Sequence, residues 1–227
     1  MAFVFFTAQR WQGLWESLGA QAPVGSFVML MERYNEPHRR YHDARHIDRC
    51  LLHFEVLKSF AQRPELVEFA LWLHDAVYDT RAHDNEERSA DLAEALLASA
   101  GLHHLVEPLR AMILGTRHKE ACPADDVGLV VDIDLSVLGS ERKDYMDYVQ
   151  QIREEYSWVP DKEFRDGRIK VLKTIADHAR IYSHDPCLGL WELRARENLN
   201  NELSILMDGF SQDSTPSQSR SQTSPSR

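Results

Sequence analysis

The sequence predicts an all-α protein, and three observations carry that reading. Apolar residues recur at i, i+3, i+4 and i+7 through most of the chain. The segments with this spacing are bounded by Ser, Thr, Asp, Pro and Gly where helices start and stop. No run alternates apolar and polar residues convincingly, as a half-buried strand would. Taken in order, "TAQRWQGLWESLGA" places Trp11, Leu14, Trp15 and Leu18 on one face, with Thr7 as N-cap. Phe27, Leu30, Met31 and Tyr34 repeat the spacing. Pro37 suits the first turn of a helix running through "HRRYHDARHIDRCLLHFEVL", and Pro64 opens the helix that carries "FALWLHDAVYDT". Asp84, with Glu87 three residues on, caps an Ala/Leu-rich helix that Gly101 ends. Tyr145, Tyr148, Ile152 and Tyr156 mark a helix after Ser140. Pro160 starts the next, with Phe164, Ile169, Leu172 and Ile175, and a last helix covers Leu188 to Leu206. Only "GLVVDIDLSVLG" is ambiguous between helix and strand.

The chain has 227 residues, enough for one domain with a sizeable core, expected over residues 1–210. Residues 211–227, "SQDSTPSQSRSQTSPSR", contain no hydrophobic residue and are expected to form a disordered Ser-rich tail. Nothing in them offsets the entropy of ordering. With 26 basic and 36 acidic side chains the net charge is −10, which repels a phosphate backbone at long range and argues against duplex nucleic acid as a partner. A local basic pocket for a small phosphorylated ligand remains compatible with that charge. Cys50, Cys122 and Cys187 are odd in number and far apart, which argues against a disulfide framework and fits a reducing cytoplasm. The apolar start "MAFVFF" lacks the basic flank and length of a signal peptide, and no stretch approaches a membrane span. The aromatic N-terminal helices offer a surface that a homodimer could cover.

Three groups of residues carry possible chemistry. His38, His42 and His46 are spaced i, i+4 on the expected helix, so they share a face and suit metal ligation; a polar stripe beside Arg39, Arg40 and Arg45 is the plainer explanation. His74-Asp75 ends an apolar run and is therefore expected to be buried or at a cavity wall. There both groups need partners, and one divalent cation supplies them. Asp132 and Asp134 lie in apolar surroundings. On a helix they diverge by about 160 degrees, whereas in extended chain they share a face.

The order His46, His74-Asp75 and then an Asp in "DID" resembles the H…HD…D pattern of the HD-domain metal-dependent phosphohydrolase superfamily. The stretches "EPHRRYHDARHI", "LWLHDAVYDTRAHDNEERSA", "TRHK" and "DIDLSVLG" are similar to an uncharacterised bacterial branch of it, over roughly residues 8–208. The resemblance implies a single HD-type helical domain. It makes His46, His74 and Asp75 ligands of a divalent ion (Mn²⁺, Mg²⁺, Co²⁺ or Fe²⁺). Asp134 in "Ile133-Asp134-Leu135" is the expected fourth ligand in preference to Asp132. His83, His103, His104 and His118 are available for a second ion, His118 foremost. Where some HD hydrolases have an acidic pair after the HD, this chain has Tyr78-Asp79, so Asp79, with His42, is the expected group for activating water. Arg45, Arg117, His118 and Lys119 are expected to bind phosphate. The implied activity is hydrolysis of a phosphomonoester or pyrophosphate bond in a small phosphorylated substrate, a nucleotide foremost. A non-catalytic nucleotide-binding module and a di-iron oxygenase are the alternatives.

Overall fold

The computed structural model describes residues 3–118 and 123–213. Among these residues there is no strand, and the chain is all-α. The principal helices are α1 (Ala8–Ser17), α2 (Ser26–Tyr34), α3 (Ala44–Leu57), α4 (Pro64–Leu73), α5 (Asn85–Ser99), α6 (Val106–Gly115), α7 (Asp126–Asp134), α8 (Arg142–Glu155), α9 (Asp161–Ala176) and α10 (Leu193–Asp213). A π-helical turn, Leu188–Glu192, leads into α10. That last helix runs three residues past the boundary expected at residue 210; residues 214–227, the rest of the expected tail, lie outside the described residues.

The N-terminal helices follow their sequence signals. Thr7 Oγ1 accepts the Arg10 N–H at 3.2 Å and starts α1, which buries Trp11, Leu14 and Trp15. Those rings pack with Phe6, Phe69 and Trp72 at centroid distances of 4.7–5.7 Å, and Trp11 Nε1 donates to Ser26 Oγ at 2.8 Å. Trp11 keeps its N–H bond on burial, whereas Trp15 Nε1 is buried with no hydrogen-bond partner among the described residues, so aromatic packing is what holds this cluster.

α3 departs from expectation. It starts at Ala44, capped by Asp43, and not at Pro37. The physical reason lies far along the chain: Glu155 Oε1 accepts the N–H groups of Arg40, Tyr41 and His42 at 2.8, 2.8 and 2.9 Å. N–H groups given to Glu155 are not available for the i→i−4 bonds that residues 40–42 would make in a helix begun at Pro37. His38, His42 and His46 therefore do not share a helix face.

α4 is the central element, packed against α1, α3, α6 and α7. From Leu66 to Leu73 every residue except Glu68 is buried, so the helix is apolar all round. Its C-terminal carbonyls find partners inside the protein. Tyr34 Oη donates to Trp72 O at 2.8 Å, and His74 Nδ1 donates to Leu71 O at 3.1 Å. The buried Arg39 guanidinium donates to the carbonyls of His42, Asp75 and Ala76, at 2.9, 2.7 and 3.3 Å. One cation at this helix end thus ties the loop before α3 to the turn after α4. Arg39→Ala leaves these carbonyls without partners and is expected to cost about 3 kcal/mol. The thermal midpoint should fall by about 6–12 °C, and Arg39→Lys should restore little of it, since an ammonium cannot span that fan of acceptors. An Arg39→Ala protein melting within about two degrees of wild type would contradict this.

Asp84 precedes α5 without a side-chain cap bond. At its far end Gly101 adopts φ +74°, with Leu102 N–H bonded to Leu97 O at 2.9 Å. The ambiguous "GLVVDIDLSVLG" is helical: α7, then a 3₁₀ turn Leu135–Gly139. Residues Gly128 to Ile133 are all buried, which erases the periodicity that would have identified it. Gly128 is required there, because a Cβ would come 2.0 Å from Pro123 O.

Candidate metal centre

Three helices deliver one polar cluster of four side chains into the core. His46 comes from the first turn of α3, His74 is the C-cap of α4, Asp75 follows it, and Asp134 ends α7. The two histidines are 2% and 1% exposed, and one donor atom from each of the four residues lies within 4.8 Å of all the others. His46 Nε2 is 3.1 Å from His74 Nε2, 3.1 Å from Asp134 Oδ1 and 3.6 Å from Asp75 Oδ2. His74 Nε2 is 3.2 Å from Asp75 Oδ2 and 3.4 Å from Asp134 Oδ1. Bonds of ~2.1 Å to one ion set neighbouring donors ~3.0 Å apart in octahedral and ~3.4 Å apart in tetrahedral coordination. The observed spacings of 3.1–3.6 Å are compatible with donors arranged around one ion.

Helix termination makes this possible. His74 and Asp75 would point some 100 degrees apart within a helix, but α4 stops at Leu73, and the turn that follows lets both side chains face one point. The His74 Nδ1–H bond to Leu71 O fixes the tautomer and leaves the Nε2 lone pair toward the cluster.

Charge fits as well. Burial disfavours protonated His74, but Asp75 and Asp134 outweigh it and raise its pKa well above the ordinary value. Burial lowers that of His46. Burial disfavours ionised Asp75 and Asp134 too, yet facing His74 holds both below the usual carboxylate range. Two ionised carboxylates facing one His74, whose Nε2 they favour protonated, leave a net negative charge in the core. A divalent ion replacing the Nε2 proton gives a neutral site, the favourable state for a buried cluster. The donor set therefore could hold a divalent metal ion.

Asp132 is separate from this cluster although two residues away. Its carboxylate, 1% exposed, accepts Ser183 N–H at 2.8 Å, Ser183 Oγ at 3.0 Å, His184 N–H at 2.9 Å and His184 Nδ1–H at 3.0 Å. It anchors the segment before α10 to α7. The divergence of the two aspartates on a helix sends one to each side.

The cluster opens onto a cleft of about 560 Å³, lined on the far side by Tyr78, Tyr148, Tyr156, Trp158 and Phe164. His42 and His118 are in its wall. His118 Nε2 lies 3.1 Å from the other oxygen of Asp134, and its Nδ1 is buried with no hydrogen-bond partner among the described residues. The residue has φ +53°, uncommon for a side-chain-bearing residue. His83 lines the cleft too, whereas His103 and His104 are exposed on the turn before α6 and do not reach it.

Several expected residues are elsewhere. Asp79 is exposed; its Oδ1 accepts Arg81 N–H at 2.9 Å and closes a local turn. It lines a second hollow, together with Arg33, Arg40 and Arg88, on the other side of Tyr78. Arg45 is exposed and paired with Asp43 at 2.6 Å. Arg117 reaches the cleft but is paired with Glu87. Lys119 lies outside the described residues.

Two contributors were missed in the sequence. Arg39 read as part of a polar stripe. Glu155 had a legible signal: it continues the series Tyr145, Tyr148, Ile152 and so puts a carboxylate on the buried face of α8. Its Oε2 accepts His42 Nδ1–H at 2.7 Å. His42, with the backbone N–H groups of Arg40 and His42, overcomes the burial penalty and holds its pKa at about 2.

No protein-family model, no curated protein and no solved structure matches this chain. A helical fold with a His/Asp cluster is compatible with an HD-type fold.

Proposed function

We propose that the protein is a metal-dependent phosphohydrolase of the HD type, acting on a small phosphorylated molecule, a nucleotide foremost. The observation that supports this reading best is the convergence of His46, His74, Asp75 and Asp134 at the floor of an aromatic-walled cleft. A divalent ion held by these four groups supplies Lewis acidity, lowering the pKa of a water and polarising a phosphoryl oxygen. The chain's own residues do the rest. Tyr156 and Trp158, which line the cleft, offer aromatic surface on which a planar base can stack. His118 Nε2, 3.1 Å from Asp134, would orient that carboxylate toward the ion. His42 takes over the water-activating role that the position of Asp79 does not allow. Arg117 and Arg168 contribute little free charge, because Glu87 and Glu202 already neutralise them.

Metal analysis of the purified protein, followed by a screen of nucleotides and phosphate esters with Mn²⁺, Mg²⁺, Co²⁺ and Fe²⁺, tests the reading. The expected result is bound metal and release of phosphate or pyrophosphate from a member of the panel. Absence of metal binding overturns it. Metal and nucleotide binding without turnover would instead make the protein a regulatory binding module. One observation favours a two-ion, di-iron oxygenase reading: Asp134 presents one oxygen to His46 and the other to His118. Two irons per chain and oxygen consumption would be its signature.

A further inference from the structure

His42 is held on every side but one. Its Nδ1 meets Glu155 Oε2 at 2.7 Å. Its ring stacks on Tyr78 at a centroid distance of 4.2 Å and 27 degrees, and Tyr41 stands edge-on to it at 5.0 Å. Its carbonyl accepts the buried Arg39 guanidinium at 2.9 Å. Glu155 is itself immobilised: Oε1 takes three backbone N–H groups of residues 40–42, and Oε2 also accepts Tyr78 Oη at 3.3 Å. The Nε2 atom of His42 has no hydrogen-bond partner among the described residues, and the ring lines the cleft that Asp75 and Asp134 also line. A carboxylate only accepts, so the imidazole carries a proton on Nδ1, and the neutral ring presents its Nε2 lone pair to the cleft.

From this arrangement we infer that Glu155 is a positioning residue that makes His42 the proton-transfer group of the cleft. The inference rests on the phosphohydrolase reading for its chemistry, and on geometry alone for the dyad. In the reaction His42 Nε2 accepts a proton from the attacking water while the water oxygen bonds to phosphorus. Glu155 stabilises the imidazolium across Nδ1–H. As the bond from phosphorus to the leaving oxygen on the opposite face breaks, that oxygen takes a proton from a water of the cleft, and His42 Nε2 releases its own proton to solvent. Water has then added across the bond and His42 is regenerated. Orientation by a carboxylate that itself stays ionised is how a histidine base keeps one tautomer through such a cycle.

Glu155→Gln is the informative variant. Its carbonyl oxygen can still accept the loop N–H groups, but its NH₂ now faces His42 Nδ1, which must become an acceptor and place its proton on Nε2. With p-nitrophenyl phosphate and Mn²⁺, kcat is expected to fall about 100-fold or more, with KM within about threefold and metal content unchanged. His42→Asn should show a similar loss, and the double variant little further loss, because the two residues act as one unit. Histidine-ring ¹⁵N spectra of the full chain give a readout independent of turnover: a proton on Nδ1 of His42 in wild type, on Nε2 in Glu155→Gln. Full kcat in Glu155→Gln at full metal content overturns the catalytic role. A neutral wild-type ring that carries its single proton on Nε2, seen at a pH above its titration, overturns the dyad even if Glu155→Gln fails to fold. If wild type turns over no ester, the phosphohydrolase reading and the proton-transfer role both fall, while the spectra still decide whether Glu155 sets the ring.

Discussion

Replacing His74 by alanine, or Asp75 by alanine, is expected to abolish stable divalent-metal binding and all turnover that depends on it. Each change removes one of four converging donors, and the remaining three cannot relocate, because they are set by the ends of separate packed helices. The effect extends to stability. An ion present at about 100 times its Kd stabilises the folded wild type by about 2.7 kcal/mol, or about 5–10 °C in a chain of this size. Thermal scans with and without Mn²⁺ should show that increment in wild type and none in either variant. Either variant keeping a full metal complement and wild-type turnover would place the site elsewhere.

Asp134→Asn and Asp132→Asn should fail in different ways. Asp134 faces His46 and His74 with one oxygen and His118 with the other, at 3.1–3.4 Å. Its amide keeps the volume but loses the charge, so metal affinity should drop severely, by 100-fold or more on the scale of ~1.4 kcal/mol per factor of ten. Asp132 makes no approach to the cluster and holds Ser183 and His184. Its amide should cost about 2–3 kcal/mol of stability through the lost charged acceptor and leave metal affinity within about threefold. Titrating both variants with Mn²⁺ at one pH, alongside thermal unfolding, separates the two losses. Severe loss of metal by Asp132→Asn with normal binding by Asp134→Asn would reverse the assignment.

Much of this protein was legible before folding. The spacing of Trp11, Leu14 and Trp15, the Pro64 start of α4 and the Gly101 stop of α5 are local signals, and local physics decides them. The apolar run before His74-Asp75 likewise announced a buried polar pair, because burial of such groups needs a compensating partner. The choice of Asp134 over Asp132 was available only as a resemblance; the turn of α7 separates the two carboxylates.

What the sequence by itself determined is the all-α class, most helix positions and the residue types able to bind a metal. Each depends on neighbours within a few residues. Only the tertiary structure decided where α3 begins, where α4 lets go of His74 and Asp75, and which polar groups meet. Glu155 unwinds the loop holding His42 from more than one hundred positions away. Arg39 and Tyr34 take the carbonyls at the end of α4 from two other segments. Asp79 and Arg45, expected from the resemblance, are drawn to local partners outside the cleft. Convergence of donors at 3.1–3.6 Å is a property of helix ends brought together, and no local pattern encodes the distance between ends.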